Sequence, residues 1–248
     1  PQVLDFLKET ENSILCLQEL KMQEADIDAA AFKEVGYTLD AFGQKTYNGV
    51  ATILRDPLTF LPDEEVRNIP GFEDPQSRLL ATTVQVGSEK LRVINGYFPN
   101  GETVESEKFP YKLAWLEALV QWLPSQLEEY PNLVLLGDFN IAPEDRDVWD
   151  PESWAESVLC TPKAREAFQR LIDLGLTDSF RAFEQPEKSY SWWDYRMMAF
   201  RRNRGLRIDH ILISEALASK NLGVEIHKKV RGNERPSDHA PVTLTLDL

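Results

Sequence analysis

At 248 residues, with 42% hydrophobic and 27% charged side chains, the chain can bury a large core and has the make-up of a soluble globular protein. No apolar run approaches the length that spans a bilayer, and two cysteines are too few for a disulfide framework, which fits a reducing, cytoplasmic setting. A formal net charge of −14 excludes adhesion to nucleic acid through bulk charge, though not a local basic face.

In chain order, residues 2–9 have helical periodicity, with Val3, Leu4 and Leu7 on one side. A strand ends at Glu19 after Ile14-Leu15-Cys16-Leu17-Gln18, and an Ala-rich helix is expected over 24–35. Residues 49–54, 79–86 and 91–97 read as strands. A long amphipathic helix is expected over 105–129, with Phe109, Leu113, Leu116, Leu119, Val120 and Leu123 as its apolar stripe and Pro110 and Pro124 starting, kinking or ending parts of it. A strand at 133–137, a helix at 162–174 and strands at 208–213 and 242–246 complete the pattern. No linker of disordered composition divides the chain, so one α/β domain over 1–248 is expected.

Chemistry-bearing residues gather at strand ends. Glu19 closes one apolar run, Asp138 follows Leu133-Val134-Leu135-Leu136-Gly137, and Asp209 precedes His210-Ile211-Leu212-Ile213. The segment Pro236-Ser237-Asp238-His239-Ala240-Pro241 presents an acid beside an imidazole before an alternating strand. A single such acid is an ordinary solvated cap; four of them with a histidine point to a shared metal-binding rim. Asp138 and Asn140 lie two apart, so on an extended segment both face one way, whereas an Asx turn would account for them without chemistry. The stretch from Arg196 to Arg207 holds five arginines (Arg196, Arg201, Arg202, Arg204 and Arg207), which allows a basic face on an acidic body. Asp145–Asp150 lacks the Gly and terminal Glu of a calcium loop and reads as a polar loop. His210, on the face opposite Asp209, reads as structural and His227 as a surface residue, Cys16 as a buried strand residue and Cys160 as part of a polar stretch.

Taken together, Gln18-Glu19, Tyr47-Asn48-Gly49-Val50, Asn95-Gly96-Tyr97-Phe98-Pro99-Asn100-Gly101, Gly137-Asp138-Phe139-Asn140, Ser191-Trp192-Trp193-Asp194-Tyr195-Arg196, Gly205-Leu206-Arg207-Ile208-Asp209 and Ser237-Asp238-His239 resemble the exonuclease III family. These are AP (apurinic/apyrimidinic) endonucleases of the endonuclease/exonuclease/phosphatase superfamily. The resemblance covers essentially the whole chain. It implies a DNase I-like four-layer α/β sandwich, two packed and mostly antiparallel sheets flanked by helices. It also implies a monomer that hydrolyses double-stranded DNA at abasic sites or 3′ ends with Mg²⁺, Mn²⁺ being equally suited to oxygen ligands.

The resemblance assigns Asp138 to activating the nucleophilic water and Asn140 to orienting it. His239, with Asp209 as carboxylate partner, contacts the scissile phosphate, and Tyr97 donates to the same phosphate. Glu19 holds the metal, with Asp238, Asp138 and Asn140 near it; Asp238 is either a second-site ligand or a proton carrier. Tyr47, Asn100 and Arg196 contact DNA. Trp192, Leu206 and Ile208 match an apolar pocket for a flipped-out abasic sugar. On position alone Tyr97 is equally at home as a core residue, and for the tryptophans the core is the more usual place.

The family also opens with a strand carrying an Asn beside the metal, in a segment similar to Ser-Trp-Asn-Val-Asn, which would precede Pro1. A chain truly lacking that first strand is expected to be less stable and weak in metal binding. The other classes left open are a phosphoesterase acting on a non-DNA ester and a non-catalytic DNA-binding module.

Overall fold

In the computed structural model, which describes residues 2–248, the chain divides into two compact units. The first runs to Tyr97 and takes in Asn132–Gly137; the second comprises Phe98–Pro131 and Asp138–Leu248.

The first unit packs two sheets face to face and covers one of them with helices. Strands β1 (Ile14–Gln18), β2 (Tyr37–Phe42) and β3 (Val50–Arg55) form an antiparallel sheet in the order β1-β3-β2, with Leu15 and Leu39 both opposite Ile53. Alternation sends Leu15, Leu17, Leu39 and Ile53 to one face, where they meet Val3 and Leu7 of α1 (Gln2–Thr10) and Phe32 of α2 (Ala29–Glu34). The opposite face turns to a second sheet, ordered β4 (Thr59–Phe60), β6 (Leu79–Val86), β7 (Glu89–Tyr97), β8 (Leu133–Asp138), with β5 (Val66–Arg67) also paired to β6. Asn95, fully buried, joins the two sheets. It accepts from Gln18 Nε2 at 2.8 Å and donates to the carbonyls of Leu17 and Ala51 at 3.2 and 2.9 Å. Strand β8 needs its glycine, because a Cβ on Gly137 would stand 1.9 Å from the Gly96 carbonyl oxygen and its φ is +137°.

The second unit is built on α3 (Lys108–Glu129), α5 (Pro162–Asp173), an antiparallel pair β9 (Leu176–Asp178) and β10 (Asp209–Ser214), and a second pair β11 (Asn221–Ile226) and β12 (Val242–Leu246), with short helices α4 (Pro151–Trp154) and α6 (Glu215–Ala218) between. Its aromatic centre is Phe98 stacked on Phe139 at 4.0 Å, with Trp115 of α3 and Phe168 of α5 tilted against that stack. Thr161 caps α5 by accepting from the Ala164 N–H, and Pro162 occupies the first turn, where its missing N–H costs nothing.

The fold is therefore mixed α/β, with mostly antiparallel sheets flanked by helices. The helix expected over 24–35 is broken: a 3-10 turn at Glu24–Asp26 precedes α2, which restarts at Asp28, whose carboxylate accepts from Ala31 N–H. Pro124 does not end α3, which continues through it to Glu129. Strands β2, β4, β5, β9 and β11 are additions to the expected set. Cys160, in its polar stretch, is buried, whereas Cys16 is only half-buried. His227 is half-buried, not on the surface, with Nε2 2.8 Å from Thr243 Oγ1. Among the described residues no helix is long and apolar enough to cross a membrane.

Candidate active site

In the first unit Glu19 follows β1 directly, in the left-handed region at φ +53°. Its Oε1 accepts a 2.9 Å bond from the Tyr97 hydroxyl and its Oε2 lies 2.7 Å from Lys21 Nζ, with 36% of the side chain exposed. Tyr97 ends β7 and is fixed by Arg78, whose carbonyl accepts its N–H at 2.7 Å and whose guanidinium lies 5.0 Å from the ring centroid. The hydroxyl expected to face a phosphate thus points at the Glu19 carboxylate. Tyr47 is 78% exposed, at φ +64°.

In the second unit Asp138 and Asn140 form an Asx turn, since Asp138 Oδ1 accepts from the Asn140 N–H at 2.9 Å and Asn140 has φ +50°. The turn does not separate the side chains: Asn140 Nδ2 is 3.3 Å from Asp138 Oδ2 and also donates to the Phe98 carbonyl at 2.9 Å. Asn100 Nδ2 donates to Asn140 Oδ1 at 3.0 Å. Both Asp138 and Asn140 are buried.

His239 closes the group. Its Nδ1 lies 2.9 and 3.0 Å from the two Asp209 oxygens, and its Nε2 lies 3.7 Å from Asp138 Oδ2. Burial alone would push this imidazole down, but the carboxylates of Asp209, Asp138 and Asp238 outweigh it and lift it to about 10. It is therefore cationic at neutral pH, with Nδ1–H committed to Asp209. Asp238 accepts from Trp192 Nε1 at 2.9 Å through Oδ2. Ser191, fully buried, ties together the segments that carry Asp209 and His239. Its hydroxyl accepts from the N–H groups of Ile208 and Asp209 at 3.1 Å each, and its carbonyl accepts from Ala240 N–H at 2.7 Å.

Of the three residues expected to line a sugar pocket, Trp192 is half-buried, while Leu206 and Ile208 are 0% and 2% exposed in an apolar cluster with Phe109, Ala142, Val148 and Val158. Arg196, Arg201 and Arg202 are exposed, and Arg204 lies 4.7 Å over the Trp149 ring. Arg207 is not part of a basic surface. It is 2% exposed and donates to Asp147 at 2.7 Å and to Asp178 at 2.8 Å, beside Arg181, which also pairs with Asp147. Burial would raise the Asp147 carboxyl, but Arg207 and Arg181 hold it below the usual range. Asp147 of the acidic 145–150 loop thus anchors the buried Arg207 and the half-buried Arg181.

Lys112 is the residue sequence reasoning passed over. It is fully buried on α3, with Nζ 2.6, 2.8 and 3.2 Å from the carbonyls of Asn140, Val158 and Asn100. Burial pushes it down to about 7, with the charge on Asp138 pulling the other way. The available signal was its spacing, three after Phe109 and four before Leu116, which sets a charge inside the apolar stripe.

A model of the endonuclease/exonuclease/phosphatase family matches residues 2–239. The chain is 35% identical to exodeoxyribonuclease III of Haemophilus influenzae, over 97% of this chain and 92% of that protein. Among solved structures, a 3′ phosphatase from Neisseria bound to a product DNA hairpin superposes with a TM-score of 0.94 at 44% identity, covering 100% of this chain and 94% of that one. An AP endonuclease from Archaeoglobus fulgidus gives a TM-score of 0.90 at 32% identity, covering 99% and 93% of the two chains. The chain belongs to the endonuclease/exonuclease/phosphatase family and, within it, to the DNA-repair nucleases related to exonuclease III.

Proposed function

We propose that this DNA-repair hydrolase cleaves phosphodiesters of double-stranded DNA at abasic sites, at 3′ ends, or at both, by attack of a water that Asp138 deprotonates. The observation that carries the reading is the grouping in the second unit of one carboxylate tied to an amide with one cationic imidazole backed by a second carboxylate. Phosphodiester hydrolysis needs these parts: a base for water, a donor to orient it, and fixed positive charge where the phosphate gains negative charge. Asp138 takes the proton, Asn140 orients the water, and His239 faces the phosphate while Asp209 holds its ring. Asn100 steadies Asn140 and reaches the same phosphate. Tyr97 donates to a phosphate oxygen once Glu19 is otherwise engaged.

Glu19 in the first unit, and Asp138, Asn140 and Asp238 in the second, each offer oxygen donors of the kind a hard divalent cation such as Mg²⁺ or Mn²⁺ takes, and the partly exposed Glu19 carboxylate fits an ion that keeps several waters. Such a cation, when bound, neutralises charge on the phosphate. The exposed Arg196, Arg201 and Arg202, with Tyr47, would contact the DNA backbone, which positions a duplex without reading its sequence. The Neisseria relative, a 3′ phosphatase solved with product DNA, and the Archaeoglobus AP endonuclease support DNA as the substrate.

The test is a gel assay on an end-labelled duplex carrying one abasic-site analogue, beside an undamaged duplex, each with Mg²⁺ and with a chelator. Incision at the abasic site, removal of nucleotides from the 3′ end, or both, only with the metal, is the expected result. No cleavage of DNA, with hydrolysis of a soluble phosphate ester instead, would overturn the reading.

A further inference from the structure

Lys112 spans two loops of the second unit that each carry an amide of the site. An ammonium has three N–H donors and no acceptor. Here the three carbonyls within reach belong to Asn100, Asn140 and Val158, at 3.2, 2.6 and 2.8 Å, so every donor has a partner. The Lys112 stem is wedged as well. Gly101 has φ +93°, and a Cβ there would meet Lys112 Cδ at 3.2 Å and Phe109 Cδ2 at 3.3 Å. The loop after Phe98 is therefore pressed onto the lysine stem just where Asn100 turns towards Asn140.

Asn140 has reason to need an external hold. Its backbone is left-handed at φ +50°, a region that L side chains adopt seldom and that asparagine tolerates when local hydrogen bonds hold it. Its own side chain is already committed, donating to Phe98 O and Asp138 Oδ2 and accepting from Asn100. The carbonyl is the one remaining handle, and Lys112 holds it at 2.6 Å. A buried charge is expensive to keep in a protein interior, and α3 needs none for its packing, because Phe109, Trp115, Leu116 and Leu119 already form its buried face.

We propose that Lys112 is a positioning residue, which fixes the Asn100–Asn140 amide pair by clamping the carbonyls of both residues from beneath the site. It touches neither substrate nor water, and acts on turnover through Asn140. What Asn140 and Asn100 do in catalysis rests on the nuclease reading; that Lys112 fixes them does not.

The test uses the full chain with Lys112→Met and, should that variant fail to fold, Lys112→Gln, which keeps an N–H donor. In ¹⁵N-labelled protein the side-chain amide signals of Asn100 and Asn140 should shift and lose exchange protection at least about tenfold in the variant, while those of Asn48 and Asn203, whose side chains bond to other partners, stay put. Unchanged Asn100 and Asn140 signals would overturn the proposal, whatever the enzyme cleaves. In parallel, the single-turnover incision rate should fall by about 20-fold or more with DNA affinity within about threefold, and Lys112→Met added to Asn140→Ala should cost less than about threefold further. Full additivity of the two substitutions would show that Lys112 does not act through Asn140 and would also overturn it. If the unaltered chain cuts no DNA, the nuclease reading fails and the amide signals alone decide the role of Lys112.

Discussion

Acid should weaken this protein through one buried imidazole. His210 is fully buried, with Nε2 donating to the Ile141 carbonyl at 2.8 Å and Nδ1 facing an Arg207 N–H at 3.1 Å. Nδ1 must therefore accept, and the ring is neutral; protonation would set a second N–H against the guanidinium, between Phe139 and Phe168. Burial, with Arg207 adding to it, pushes His210 down to about 4 from the ordinary 6.5. Because the folded value lies below the unfolded one, this contribution is complete above pH 6.5 and is lost as pH falls towards 4. The gap, at about 1.4 kcal/mol for each tenfold change in proton affinity, caps the loss at about 3 kcal/mol, of which about 2 kcal/mol has gone by pH 5. The comparison is His210→Gln, whose amide can donate to Ile141 and accept from Arg207 without titrating. Urea unfolding followed by tryptophan fluorescence at pH 7.5 and pH 5.0 should show the unaltered chain losing about 2 kcal/mol more than the variant, since other groups titrate alike in both. Equal losses would refute the placement of a neutral His210 against Arg207.

Arg207→Met should destabilise by about 3–5 kcal/mol, because Asp147 and Asp178 would be left without their shared cation; a urea midpoint close to that of the unaltered chain would contradict this. Gly137→Ala forces a Cβ onto the Gly96 carbonyl and should cost at least about 3 kcal/mol, or block folding, which thermal melts and expression yield would register. Tyr97→Phe removes the donor to Glu19 Oε1 and should lower turnover by about 10- to 100-fold while leaving DNA affinity within about threefold; steady-state kinetics with a binding titration checks both.

The strands beside Glu19, Asp138 and Asp209 were legible because each is a short apolar run with an acid at one end, a pattern that local burial alone writes into a sequence. Strand β2 was not, since Asp40 and Thr38 interrupt its apolar residues and an Ala-rich stretch precedes it. Strand β11, with Asn221 and Gly223, has the composition of a turn and gains its order from pairing with β12. The arginine run misled at Arg207 for a non-local reason: its partners Asp147 and Asp178 lie 60 and 29 residues away, and only the fold brings them to it. Of the histidines, His210 follows from alternation along β10. The pairing of His239 with Asp209, 30 residues apart, came from likeness to a family and not from spacing. Lys112 could have been flagged as a charge in an apolar stripe, yet its three carbonyl partners come from three separate segments that no local pattern connects.

Catalysis as proposed turns on Asp138 deprotonating the attacking water. Its most direct test is single-turnover incision of an abasic-site duplex by the unaltered chain and by Asp138→Asn, with affinity for that duplex measured in parallel. The rate should be lower by about 10²–10⁴-fold in the variant, with affinity essentially unchanged. Incision at the rate of the unaltered chain would remove Asp138 from the mechanism, and a loss confined to affinity would make it a binding residue.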